Sequence, residues 1–221
     1  MSMRAKMFAG VTLAAAMCGA APACAGSLTA YSNTTTESGI QAWNGNLGLD
    51  FTVNAAVDVT AIGVFDDGSL SNLAGTQGNG VEVAIYNLAT SQIVAGTEFL
   101  FTTQTQVNQV LGDAFVSISP VLLAAGNYTV VTLDDVNYNT NGGSNPTSTT
   151  NNGGGLLTFT GGGRFDANGS FDLPTIIDGG PVNRYDAGTF QYSAVPEPAS
   201  AAVLIGGLAG MIVTRRRRRA A

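Results

Sequence analysis

The chain has no histidine in its 221 residues. That removes the side chain most often used as general base, proton shuttle and metal ligand near neutral pH. Its two cysteines, Cys18 and Cys24, both fall in the first 25 residues. Between Gly26 and Val195 lysine is missing as well, and the basic residues are Arg164 and Arg184 alone. A Ser-His-Asp triad, a thiol–imidazole pair, a thiolate zinc site and a Schiff-base lysine are thereby excluded from that stretch by inventory. It also carries no disulfide, which a domain of this size does not need because its core is large enough. Against two basic residues stand fourteen acidic ones, a net charge of −12. Such a body repels phosphate backbones and anionic membrane surfaces, so nucleic-acid binding is excluded. A sustained 3.6-residue apolar repeat is lacking there too, which argues against amphipathic helices.

The two ends carry what the middle lacks. Arg4 and Lys6 precede a run over residues 8–21 that is apolar or small apart from Thr12. Ala23-Cys24-Ala25 and then Gly26-Ser27 follow. A positive start, an apolar run and a small-x-small site describe a secretory signal peptide over residues 1–25, cut by signal peptidase between Ala25 and Gly26. The apolar run is short for a retained membrane helix. A lipoprotein signal ending before Cys24 is the other rival, but Ala21-Pro22-Ala23-Cys24 lacks the leucine such signals carry.

At the other end, Val195-Pro196-Glu197-Pro198 is followed by sixteen uncharged residues, 199–214, and then by Arg215, Arg216, Arg217, Arg218 and Arg219. Two prolines in three residues cannot join a helix interior or a central strand, so the motif is exposed and extended. On spacing alone it reads as a plain rigid linker rather than a processing site. The uncharged run would span about 24 Å as a helix, slightly short of a hydrocarbon core of about 30 Å. It inserts marginally as a single transmembrane helix, with local thinning of the bilayer. Arginines beside such a segment stay on the cytoplasmic side and halt translocation. This order of motif, apolar helix and arginine cluster over residues 195–221 resembles the PEP-CTERM sorting signal of exported bacterial proteins. The resemblance implies processing near Pro196-Glu197-Pro198 by an exosortase, a membrane-embedded transpeptidase. It implies an inner-membrane intermediate, a final place at the cell surface or outside the cell, and association with extracellular polysaccharide in a biofilm matrix.

Within the body, residues 26–194, period-two patterns dominate. Leu47, Leu49, Phe51 and Val53 alternate with Gly48, Asp50 and Thr52, and Val81, Val83 and Ile85 with Glu82 and Ala84. Val57 and Val59, Ile62 and Val64, residues 115–118, 128–133, Leu157 with Phe159, and 189–192 are further short runs bounded by Gly, Asn, Asp or Pro. The pattern predicts an all-β, antiparallel, jelly-roll-like β-sandwich of about eight to ten strands. Residues 47–135 also resemble a recurring β-sandwich module of bacterial surface proteins. The resemblance rests on Leu49-Asp50-Phe51-Thr52-Val53, Ala61-Ile62-Gly63-Val64-Phe65-Asp66-Asp67, Val83-Ala84-Ile85-Tyr86 and Ala124-Ala125-Gly126-Asn127-Tyr128. Residues 139–155 contain no large apolar side chain and no charge, so they read as a mobile loop, with a Ser/Thr glycosylation region as the alternative.

Carboxylates are the chemistry left. Asp66 with Asp67 and Asp134 with Asp135 are adjacent pairs at strand ends, where neighbouring side chains face opposite ways and Asp is an ordinary turn residue. The expectation is therefore a non-enzyme without a resident cofactor. A calcium ion held by Asp66, Asp67 and Asp135 is the alternative to solvated turn carboxylates. A carbohydrate-binding module is the alternative function. Trp43 and the tyrosines Tyr31, Tyr86, Tyr138, Tyr185 and Tyr192 are its candidate platforms, or else core.

Overall fold

Alternation turns into faces as expected. In a computed structural model, which describes residues 26–33, 43–66, 73–75, 78–133, 148–180, 182, 185 and 188–195, Leu47, Leu49, Phe51 and Val53 are all buried in one core. Residues 1–25, the expected signal peptide, together with Asp67, Asp134, Asp135, Tyr138, Arg184, Pro196-Glu197-Pro198, the apolar run and the five terminal arginines lie outside the described residues. Among the described residues no helix is long and apolar enough to cross a membrane.

The strands are β1 (Leu28–Thr29), β2 (Tyr31–Asn33), β3 (Asn46–Val53), β4 (Val57–Phe65), β5 (Val81–Asn87), β6 (Gln92–Ile93) and β7 (Phe99–Phe101). They continue with β8 (Asn108–Val110), β9 (Asp113–Leu123), β10 (Gly126–Leu133), β11 (Ser148–Thr150), β12 (Leu157–Phe165), β13 (Ile176–Asp178) and β14 (Gly188–Ala194). One sheet has the order β1-β14-β4-β9-β8. A larger one has the order β13-β12-β3-β10-β5-β6, with β7 also on β5. β11 and β2 form a separate small pair. Neighbouring strands run antiparallel throughout. The all-β, antiparallel architecture is consistent with a β-sandwich, and both large sheets contribute to one core: Phe51 from β3 and Phe190 from β14 meet with ring centroids 4.8 Å apart.

Two local features explain irregular stretches of sequence. Val57 and Val59 are out of phase with Ile62 and Val64, yet all four belong to β4 and are buried. Against β14, adjacent Gln191 and Tyr192 pair with Ala61 and Val59, so Thr60 is the extra residue of a β-bulge, which resets the alternation; the ladder to β9 is interrupted at the same place, with residues 118–120 across from Thr60. Next, β5 and β10 show nearly unbroken apolar runs because both faces are covered. Val83, Ile85 and Val130 point to the main core, while Ala84, Tyr86 and Val131 form a second cluster under Phe171 and Leu173.

The expected mobile loop over residues 139–155 needs correction at its C-terminal end. Residues Ser148–Thr150 are a strand paired with Tyr31–Asn33. Asn151 N–H donates to Ala30 O at 3.0 Å, and Tyr192 Oη–H donates to Asn151 O at 2.6 Å. Partners distant in sequence thus satisfy a backbone that has no apolar side chains of its own to bury.

Candidate functional site

The ends of the folded body lie side by side. Gly26 is exposed, and two residues later β1 pairs antiparallel with β14, Leu28 opposite Tyr192 and Thr29 opposite Gln191. β14 continues to Ala194, opposite Val57 on its other side, and Val195 follows the strand directly. Residues Ala25–Val195 form one compact unit. Of the expected sorting motif, Val195-Pro196-Glu197-Pro198, Val195 alone is described; it sits where the ladder stops.

Asp66 follows β4 and is fully buried. Its N–H donates to Gly112 O at 2.8 Å, and Gln109 Nε2 donates to its Oδ2. Asp113, the register partner of Phe65, is equally buried. Asp66 is therefore part of the interior at this end of the sheet and not a solvated turn carboxylate. Asp67 and Asp135, its expected partners around calcium, lie outside the described residues. Among the described residues no group of three or more carboxylate, thiol or imidazole side chains is placed to hold a metal ion.

Trp43 resolves toward the capping role. Its ring stands edge-on to Phe165 at 5.9 Å and 83°, and Nε1–H donates to Asp166 O at 2.9 Å. Tyr31, Tyr86, Tyr185 and Tyr192 are all buried. Hence no exposed Trp or Tyr platform stands among the described residues, and a stacking surface of the kind the sequence suggested is not built from them.

The densest polar constellation was missed by sequence reading. The connection from β12 to β13 crosses the outer face of the larger sheet and carries Asp166-Ala167-Asn168-Gly169-Ser170-Phe171-Asp172. Asn46, fully buried at the start of β3, holds it down. Its Nδ2 lies 2.9 Å from Asp166 Oδ1, 2.9 Å from Ser170 O and 3.0 Å from Asp172 Oδ1. An amide nitrogen has two hydrogens, so three acceptors share them. Asp172 N–H returns a bond to Asn46 Oδ1 at 3.4 Å. Gly48 lets the strap lie close, since a Cβ there would sit 3.4 Å from Pro174 Cγ and 2.9 Å from Thr129 Oγ1. The alternation of Asp, Asn, Ser and Asp at every second position was the available signal; Asn46, 120 residues earlier, was not.

This patch is electrostatically loaded. Burial first, and then the charge and hydrogen bond of Asp166, push the Asp172 carboxyl above the usual carboxylate range, with Asn168 pulling back. Burial and Glu98 do the same to Glu82 on β5. Tyr86, beneath Phe171, is pushed up to about 12 by burial and then by Asp172, Glu98, Glu82 and Asp166. Structurally the arrangement clamps a loop: Asn46 ties Asp166, Ser170 and Asp172 to the start of β3.

No protein-family model matches this chain, and no curated protein matches it. Its own residues therefore carry the functional reading.

The strap also sets a pH dependence. Asp172 and Glu82 hold protons more tightly in the folded body than in the unfolded chain, so between the ordinary and the raised pKa the folded state binds more protons. Stability contributed by these two groups rises as pH falls through that window, and their cost is present in full above it. Asp172→Asn is expected to reduce the gain in urea midpoint between pH 7 and pH 4.5. An unchanged pH slope in that variant would remove the strap from this account.

Proposed function

We propose that this chain is a non-catalytic exported protein, delivered to the cell surface or extracellular matrix by exosortase processing of its C-terminal tail. The observation that carries this reading is the end of β14. The last ladder residue, Ala194, and Val195 are followed at once by Pro196-Glu197-Pro198. A cut at or after Pro196 therefore leaves β14 and every described core residue in the body, and a cut before Gly26 likewise leaves β1 whole. The jelly-roll-like body emerges complete from both events.

Residues 1–25 direct export and are removed by signal peptidase. Residues 199–214 lodge in the inner membrane with Arg215 to Arg219 on the cytoplasmic side, holding Pro196-Glu197-Pro198 within reach of a membrane-embedded enzyme. The freed body carries a strongly acidic surface that keeps it soluble and apart from nucleic acids and anionic membranes. It acts by binding or bulk and not by catalysis: histidine is absent, cysteine and lysine are absent from residues 26–195, and the described acidic clusters are buried or clamped. A second reading, a carbohydrate-binding module, is favoured by an uncharged groove at one edge of the body. Both readings place the protein beside extracellular polysaccharide.

Intact-mass analysis of protein recovered from the surface and medium of a host with an exosortase tests the sorting reading. Chains are expected to begin at Gly26 and to lack all five terminal arginines. Pro196→Ala combined with Pro198→Ala is expected to leave most of the protein uncut in the membrane fraction. Recovery of mainly full-length tails from the wild type overturns the reading.

A further inference from the structure

We propose that the edge groove between β1 and β12 binds a neutral glycan chain, an inference that rests on the carbohydrate-binding reading above. The groove has a volume of about 860 Å³, within the range of sites that enclose small ligands. Its walls are the short β2–β11 pair and the first residues of β12. Among the described residues no charged side chain lines it, although the body has a net charge of −12. Among those residues an anion would meet the repulsion of the body without a compensating cation, and a metal ion would find no carboxylate. What the lining offers instead is hydroxyls and carboxamides: Ser32, Thr149, Thr150, Asn151, Asn152 and Thr158. This is the donor and acceptor set that matches sugar hydroxyls one for one.

The groups are held before a ligand arrives. Ser32 Oγ and Thr149 Oγ1 are joined across the strands at 2.9 Å. Asn151 Oδ1 accepts from Gly153 N–H at 3.0 Å, and Asn152 Oδ1 accepts from Gly154 N–H at 3.1 Å. Each amide is thereby fixed through its oxygen while its Nδ2 hydrogens stay uncommitted among the described residues. The backbone below is pinned by Tyr192 Oη at Asn151 O. Phe159, half-buried and 4.7 Å from Tyr31 in an edge-on pair, supplies an apolar wall beside Leu157. One apolar wall opposite fixed hydroxyls and amides suits a sugar ring, which has a C–H face and a hydroxyl rim. Fixing the amides in advance lowers the ordering cost of binding.

The test uses protein recovered after export of the full chain. The probes are immobilised hexasaccharides of β-1,3-glucan, β-1,4-glucan, α-1,4-glucan and β-1,4-mannan, with hexagalacturonate as the anionic comparison. Saturable binding to at least one neutral hexasaccharide, and weaker binding to the anionic one, is expected. Asn151→Ala combined with Asn152→Ala is expected to weaken that binding at least tenfold. Because those residues also shape a turn, Thr150→Arg, at an exposed position on β11, supplies an independent block expected to have an equal effect at unchanged thermal midpoint. Trp43→Ala and Leu111→Ser, both off the groove, are expected to leave affinity unchanged.

Absence of binding to every neutral probe, or preference for the anionic one, overturns the proposal. Binding that survives both groove variants also overturns it, while leaving the broader carbohydrate reading standing. The sorting reading fails separately, through the C-terminal masses alone.

Discussion

Phe51→Ala lowers the stability of the body by about 4 kcal/mol, the expected cost of emptying an aromatic site in a closed core. Phe51 is fully buried on β3, with ring centroids 5.8 Å from Tyr128 in the same sheet and 4.8 Å from Phe190 in the facing one. Its register partners are Tyr128 and Phe159. Truncation therefore removes contacts within the larger sheet and across to the smaller one at a single point. Domains of ordinary size have a total stability of about 5–15 kcal/mol, so this is a large share. Denaturant unfolding should show a lower midpoint at an unchanged slope. A loss under about 1 kcal/mol, set against the usual range for such truncations, would mean that the two sheets do not share this core. Phe190→Ala should cost a comparable amount. The double variant should lose less than the sum of the two, because the residues touch.

Asn46→Ala is expected to cost about 3 kcal/mol, by the unpairing of buried acceptors. The substitution takes the donor away from Asp166 Oδ1, Ser170 O and Asp172 Oδ1 together. It leaves two carboxylates facing each other under the strap. Asn46→Asp separates charge from shape. It keeps the volume but places a third carboxylate between the first two, and it should be more destabilising than alanine at pH 7. It should recover in part at pH 4.5, where protonation restores a donor. Hydrogen exchange is expected to localise the loss to the strap and to β12, and the partly covered Tyr86 should become accessible. If Asn46→Asp matched the wild type at neutral pH, the strap would not be held by this amide. Such a result would leave the main core unaffected, since Asn46 projects from the opposite face of β3 to Leu47 and Leu49.

Much of the fold was legible from spacing. The residues of β3 alternate so plainly that its core face could be named from the sequence, and Leu47 to Val53 fell as expected. β4 was legible only as two pieces, because the bulge at Thr60 shifts the phase and nothing in Val59-Thr60-Ala61 announces it. Seven strands of two or three residues, β1, β2, β6, β7, β8, β11 and β13, are too short to show any period. Pairing with another segment makes them strands: β1, β6, β7, β8 and β13 lie on longer neighbours, and β2 and β11 on each other. β11 is the clearest case: Ser148-Thr149-Thr150 has the composition of a loop and becomes a strand by meeting Tyr31–Asn33.

The candidate sites divide in the same way. The proposed sorting tail would be a linear code, and its proline motif, apolar run and arginines stand in order in the sequence without reference to a fold. The strap and the groove were not. Asn46 meets Asp166 and Asp172 across 120 and 126 positions, and Ser32 meets Thr149 across 117. Trp43, among Gln41, Asn44 and Asn46, read equally as a surface platform or as a cap on the core. Phe165 and the Asp166 carbonyl, over a hundred residues away, turned it into a cap.

By itself the sequence determined the secondary-structure class, the exclusion of histidine, thiol and lysine chemistry from the body, and the acidic field around it. Each follows from counting residues or from neighbours two positions apart. Tertiary structure alone decided that Asp66 lies inside, that a strap covers Tyr86, and that uncharged hydroxyls and amides gather along one edge. Antiparallel pairing brings together segments more than a hundred residues apart, and no local pattern records which partner a polar side chain will meet.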